Sequence, residues 1–180
     1  MRTTTLEIFT YDELDKAAQA KARDWFRSID TDNPWVEENI ASLKAFLDHV
    51  GATLDSYAYG GSCCRGNHVK ISIHDTDIAA LSGVRLWKYL QNNDLTTYNG
   101  TPYNQCPMTG YCMDATCGDE LDAFMAKPDS REFEELVQDC ANTWLRGCVA
   151  DIDYQNTDEA VTETIIANDY EFTGDGSRYT

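Results

Sequence analysis

The chain has 180 residues, enough for one domain, 1–180, or a domain with a small appendage. With 42% hydrophobic and 11% aromatic residues it can bury a core, so disorder is excluded. A formal net charge of −17, from 31 acidic and 14 basic residues, argues against direct binding of nucleic acid or of an anionic membrane, whose phosphates it repels.

Thr3–Phe9 reads as a short strand, with Leu6 and Ile8 on one side of Glu7. Thr10 stands three residues before Glu13, the spacing of a capping box, and predicts a helix from Asp12 to about Ser28. Leu14, Ala18, Ala22 and Trp25-Phe26 are its apolar stripe. Lys16, Lys21, Arg23 and Arg27 lie on the other side, the only basic concentration in the chain. Solvation and intrahelical pairing with Asp12, Glu13 and Asp24 are their expected use. Asp32-Asn33-Pro34 starts a second helix, with Trp35, Val36, Ile40, Leu43, Phe46, Leu47 and Val50 inward and Gly51 as its stop.

Thr53–Tyr59 and His68–His74 read as the strands of an antiparallel hairpin. Val69, Ile71 and Ile73 alternate with Lys70, Ser72 and His74. Their connection, Gly60–Asn67, carries three glycines and Cys63-Cys64. Asp75–Gly83 has no single reading. Val84–Asn92 is a short helix with Val84, Trp87 and Leu90 inward. Asp94–Thr116 is irregular, and a loop of that length is often functional. Gly118–Lys127 is a short helix with Leu121, Phe124 and Met125 inward, ended by Pro128.

Ser130–Gln155 predicts one long helix. Phe133, Leu136, Val137, Cys140, Ala141, Trp144, Cys148 and Ile152 recur on a single face at three- and four-residue spacing. Thr157 is an N-cap for a last helix, Asp158 to about Asn168, with Val161, Ile165 and Ile166 apolar. A turn around Asp175-Gly176 closes the chain. The sum is α+β: five to six helices packed on a small, mostly antiparallel sheet.

The negative charge is uneven. Cys112–Thr180 holds 17 acidic and 4 basic residues, whereas Gly61–Tyr111 holds 3 acidic and 4 basic. The last two helices and the segment between them supply Glu132, Glu134, Glu135, Asp139, Asp151, Asp153, Asp158, Glu159 and Glu163. These are the candidate partner-binding residues. Two readings of them stand: a solvated surface, and imitation of the phosphates of a nucleic-acid duplex, one charge per about 1.7 Å of axis.

Catalytic chemistry has no signature here. No Walker-type or dinucleotide glycine fingerprint occurs, and His49, His68 and His74 lack the local context of a cysteine–histidine site. Cys106, Cys112 and Cys117 are weak metal candidates, because their C-x5-C and C-x4-C spacings fit structural zinc poorly. No cofactor is expected. A small-molecule or metal site in the Gly60–Asn67 and Asp94–Thr116 loops is the alternative. Tyr57, Tyr59, Tyr98, Tyr103 and Tyr111 read either as interface anchors or as core residues. No apolar run of signal-peptide or membrane-span length is visible. With seven cysteines that absence predicts reduced thiols in a cytoplasm.

Four stretches carry a family resemblance. They are Phe9–Leu14 with Ala18–Trp25, Pro107–Cys112, Asp139–Trp144 and Ala167–Gly176. The chain resembles small phage and prophage proteins labelled "antitoxin of toxin–antitoxin stability system". The resemblance touches most of the chain but not the Gly60–Asn67 loop. It implies an accessory protein of a phage or mobile element, acting in the host cytoplasm. Such a protein would neutralise a toxin or a host defence protein by covering a basic surface.

Overall fold

The structure, a computed structural model, describes residues 6–29, 34–60 and 66–179, and of Pro34 and Trp35 only the backbone. Thr3–Thr5, Asp32-Asn33, the Trp35 side chain and Cys63-Cys64 therefore lie outside the described residues. The fold is α+β. Among the described residues it has seven α-helices and two two-stranded antiparallel sheets, where the sequence suggests five or six helices and one sheet.

Where the sequence suggests a single compact domain 1–180, the chain divides into two compact units. The smaller is discontinuous: residues up to Asp32 combine with residues from Asp151 onward. A split of this kind leaves no linker composition to read, because the unit is assembled from the two ends of the chain. Each unit has its own apolar core.

In the smaller unit, strand β1 (Ile8–Thr10) pairs with β4 (Glu171–Thr173), Phe9 opposite Phe172. The first strand thus starts later than its alternation suggests. The Thr10–Glu13 capping box forms, with the Glu13 carboxylate accepting from the Thr10 N–H at 2.8 Å and from its hydroxyl at 3.0 Å. It caps only a 3-10 turn, Tyr11–Glu13. Helix α1 (Lys16–Ser28) has its own N-cap, Asp15, which accepts from Ala17 N and Ala18 N at 2.9 Å. Leu14, Ala18 and Ala22 pack with Tyr11, Phe172 and, from helix α7 (Asp158–Ala167), Val161 and Ile165. Ile166 points outward, one residue (about 100°) round the helix from Ile165. The chain end closes on α1: Gly176 has φ +79°, and a Cβ there would overlap the Ala18 carbonyl oxygen. Only glycine fits that approach. The Arg178 guanidinium lies 4.7 Å from the Tyr170 ring centroid and 5.7 Å from that of Trp25.

In the larger unit, α2 (Pro34–Val50) ends with Gly51 N donating to Asp48 O and Ala52 N to Leu47 O, the double bond that satisfies a helix's last carbonyls. Strands β2 (Thr53–Ala58) and β3 (His68–Ser72) form the expected hairpin, with an irregularity at Asp55. Val69, Ile71 and Ile73 are buried, as their alternation predicts. The outer edge of β3 is closed by one side chain. Gln138 accepts from Ile71 N at 3.2 Å and donates to Val69 O at 3.1 Å, so its amide stands in for a neighbouring strand.

Asp75–Gly83 resolves into a short helix α3 (Thr76–Ala79), capped by Asp75. In α4 (Gly83–Asn92) Leu86 and Leu90 are buried and Trp87 packs half-buried against the core, but Val84 is 65% exposed. A row taken every three residues, as Val84-Trp87-Leu90 is, walks about 60° round the cylinder at each step. Helix α5 (Met113–Ala126) starts five residues earlier than its apolar pattern, with Leu121 and Phe124 buried.

Helix α6 (Phe133–Gln155) has 23 residues, about 35 Å at 1.5 Å per residue. Phe133, Leu136, Val137, Cys140, Ala141, Trp144 and Cys148 are all buried. Trp144 is fully enclosed; its indole N–H donates to Asn39 O at 2.9 Å and its ring meets Tyr59 edge-on at 5.5 Å. Trp144→Ala should cost about 3–5 kcal/mol of stability in chemical denaturation.

Asp94 and Asp169 sit just past the ends of α4 and α7 with φ of 55° and 51°, a left-handed conformation that suits glycine. Asp94→Gly and Asp169→Gly should each raise stability by up to about 1 kcal/mol in the same measurement.

Candidate functional site

The nine candidate carboxylates divide between the units. Glu132, Glu134, Glu135 and Asp139 belong to the larger, and Asp151, Asp153, Asp158, Glu159 and Glu163 to the smaller. Their environments differ more than their spacing suggests.

Asp139 is neutralised internally. The Arg131 guanidinium reaches Asp139 at 2.9 Å, Asp129 at 3.0 Å and Glu120 at 3.1 Å. Burial works against the charge on Arg131, but bonds to these three carboxylates outweigh it and raise its pKa. Glu120 also accepts from the Thr143 hydroxyl at 3.2 Å, so α5 and α6 are joined by a polar network. Glu135 acts locally. Its carboxylate accepts from Glu132 N at 3.0 Å, satisfying a backbone donor at the start of α6.

Asp158 is the second internally paired acid. Arg27 meets it at 2.5 Å and Arg23 at 3.2 Å. The Arg27 bond, followed by the charges of both arginines, holds its carboxyl below the usual carboxylate range. Arg23 also donates to the Tyr11 hydroxyl, which lies 3.1 Å from Thr162 Oγ1. The basic residues of α1 therefore pair mainly across elements. Lys21 goes to Asp175 at 2.7 Å, and the Arg27–Asp24 contact at 3.4 Å is the one intrahelical pair among the described residues of that helix. Asp158 and Asp175 are more than 100 positions away from these basic residues in sequence, beyond the reach of helical spacing.

Six carboxylates remain: Glu132, Glu134, Asp151, Asp153, Glu159 and Glu163. Among the described residues none has an ion pair. Asp151 is half-buried, and the other five are exposed. Glu134 and Glu159 lie in the first turns of α6 and α7, where the helix dipole stabilises their charge.

The weak metal candidates are not gathered. Cys106 is half-buried, Cys112 exposed and Cys117 buried, and burial pushes the Cys117 thiol well up, away from the thiolate a metal needs. Among the described residues no group of three or more His, Cys, Asp or Glu side chains could hold a metal ion. The tyrosines divide. Tyr103 is core, Tyr59 packs on Trp144, and Tyr98 packs on His49 at 5.2 Å, whereas Tyr57 and Tyr111 are exposed.

One residue of the Asp94–Thr116 segment has no counterpart in the sequence reading. Asp114, fully buried in the first turn of α5, accepts from Met108 N and Thr109 N at 2.8 Å, Thr109 Oγ1 at 2.9 Å and Gly110 N at 3.2 Å. Three successive backbone N–H groups thus converge on one carboxylate. Thr109 Oγ1 also lies 2.8 Å from Ser42 Oγ on α2. The loop ahead of α5 is held by an internal anion, which occupies the N–H groups of Met108, Thr109 and Gly110. The signal in the sequence was Thr109-Gly110 followed within a turn by an acidic residue, a pattern common to many helix starts.

No family model, no curated protein and no solved structure matches the chain.

Burial raises the Asp114 pKa, but hydrogen bonds from Thr109, Ser42 and Met108 outweigh it and leave the carboxyl below its ordinary value. The folded state therefore binds that proton less readily than the unfolded chain. Its contribution is complete at neutral pH and is lost as pH falls below the ordinary carboxylate range. Asp114→Ala, which removes the buried acceptor shared by three backbone N–H groups and the Thr109 hydroxyl, should cost about 2–4 kcal/mol at neutral pH. The difference from the unmodified chain should shrink in acid, as followed by denaturation at stepped pH.

Proposed function

We propose that this chain is a binding protein and not an enzyme. In this reading it is a phage-encoded accessory factor, antitoxin-like or an anti-defence inhibitor, working in the host cytoplasm. It engages a basic toxin, defence or other host protein through an acidic surface. The observation that carries the reading is the concentration of charge: Cys112–Thr180 holds 17 acidic against 4 basic residues. Glu132 and Glu134 on the larger unit, and Asp153, Glu159 and Glu163 on the smaller, exposed and without an ion pair among the described residues, are the groups that each unit offers to the partner.

The physics of such a surface is long-range. Uncompensated carboxylates draw a basic partner in and orient it, which raises the association rate above that of a neutral encounter. The same charges repel nucleic acid and anionic lipid, so neither is a direct partner. Where the partner handles nucleic acid, the carboxylates stand where backbone phosphates would, and the surface acts as a mimic. Asp139 and Asp158, already paired with arginines of this chain, contribute less in this scheme.

Immobilised intact protein should retain a basic host protein at low ionic strength and release it as salt approaches physiological levels. Retention indifferent to salt over that range would sink the mechanism. Metal analysis of the purified protein discriminates the alternative of a ligand or metal site in the Gly60–Asn67 and Asp94–Thr116 loops. A stoichiometric metal ion would favour that alternative.

A further inference from the structure

Two steps in the sequence place glycine after a residue that can close a five-membered imide. Asn99-Gly100 is the one Asn-Gly in the chain, and Asp175-Gly176 the one Asp-Gly. The structure separates them. At Asp175 both reacting groups are occupied. Its carboxylate takes the Lys21 ammonium and the Thr173 hydroxyl at 2.7 Å, the Ser177 hydroxyl at 3.0 Å and the Ser177 N–H at 3.1 Å. The Gly176 N–H donates to Thr173 O at 2.8 Å.

Asn99 and Gly100 are instead the two central residues of a tight turn. Tyr98 N donates to Thr101 O at 2.9 Å and Thr101 N to Tyr98 O at 3.0 Å. Their φ values of 52° and 77° are those of the mirror-image turn that favours this dipeptide. Both residues are exposed, and the space around a Cβ at Gly100 is empty to 4 Å. Among the described residues neither the Asn99 amide nor the Gly100 N–H has a partner.

We propose that Asn99 is a site of spontaneous deamidation. The Gly100 backbone nitrogen gives up its proton to solvent base and attacks Asn99 Cγ. The N–Cγ bond forms, the Cγ–Nδ2 bond breaks, and ammonia leaves with a proton from solvent. Water then opens the cyclic imide at either carbonyl, giving aspartate or isoaspartate. One water is consumed, one ammonia is released, and nothing is oxidised or reduced. The product adds a carboxylate to Gly61–Tyr111, a stretch with only 3 acidic residues. Isoaspartate also adds a methylene to the main chain, so the Tyr98–Thr101 pair cannot keep both of its bonds. The effect reaches α2, because the Tyr98 ring lies 5.2 Å from that of His49, whose Nε2 is 2.8 Å from Thr97 O.

The test is to incubate the full chain at mildly alkaline pH and follow its peptides by mass spectrometry. The Tyr98–Thr101 peptide should gain one mass unit, with an isoaspartyl form resolved, at least about tenfold faster than any other asparagine peptide. Asp175 should not isomerise over the same period. Gly100→Ala, whose methyl meets nothing within 4 Å but whose backbone takes on a strained φ of +77°, should slow the change about tenfold. An Asn99 peptide that keeps its mass, or isoaspartate accumulating first at Asp175, would overturn the proposal.

Discussion

Burial of the apolar stripe of α6 is the constraint on which the larger unit depends. Phe133, Leu136, Val137, Cys140, Ala141, Trp144 and Cys148 occupy one side of the helix, and all seven are enclosed. With that side fixed, the helix has no rotational freedom left. Glu134 and Glu135 are then directed to solvent, while Gln138 is placed against the edge of β3 and Asp139 against Arg131. The hydrophobic effect thus decides where the charges stand, although it has no preference among them. Trp144 adds direction, because its N–H must find an acceptor once buried, and the Asn39 carbonyl on α2 is that acceptor.

The acidic character of the chain consists of two populations. Asp139, Asp158, Asp129, Asp175 and Glu120 hold elements together through arginine and lysine partners. Glu132, Glu134, Asp151, Asp153, Glu159 and Glu163 have no such partner among the described residues. The remainder repel one another. Exposed repulsion is tolerable because water and salt screen it, and each pair contributes little to stability. A surface of this kind is available to a partner at small structural cost.

What was legible in the sequence was whatever obeys a local period. The stripes of α2 and α6, the alternation in β3, the Thr157 cap and the Gly51 stop were readable because neighbours within a few residues specify them. What stayed hidden depends on distant partners or on two local signals in competition. Thr10 reads as the cap of the first helix, but it caps only a single 3-10 turn, and Asp15, five residues on, caps the helix itself. The β1–β4 pairing joins residues more than 160 positions apart, so nothing near Ile8 announces the discontinuous unit. Asp114 could not be singled out because a loop's backbone donors carry no sequence signature. Among the nine candidate carboxylates, only the fold tells Asp139 and Asp158 from Glu134 and Glu163.

That distinction gives the most direct test. Two variants would be compared for melting temperature and for association rate with the captured basic protein. One replaces Glu134, Glu159 and Glu163 by glutamine, and the other replaces Asp139 and Asp158 by asparagine. The account predicts a crossed result. The glutamine variant binds more slowly and loses only a little melting temperature, from its two helix-start charges, whereas the asparagine variant melts clearly earlier and, while folded, associates at close to the original rate. A glutamine variant that binds as fast as the unmodified chain would contradict the claim that the unpaired carboxylates recognise the partner.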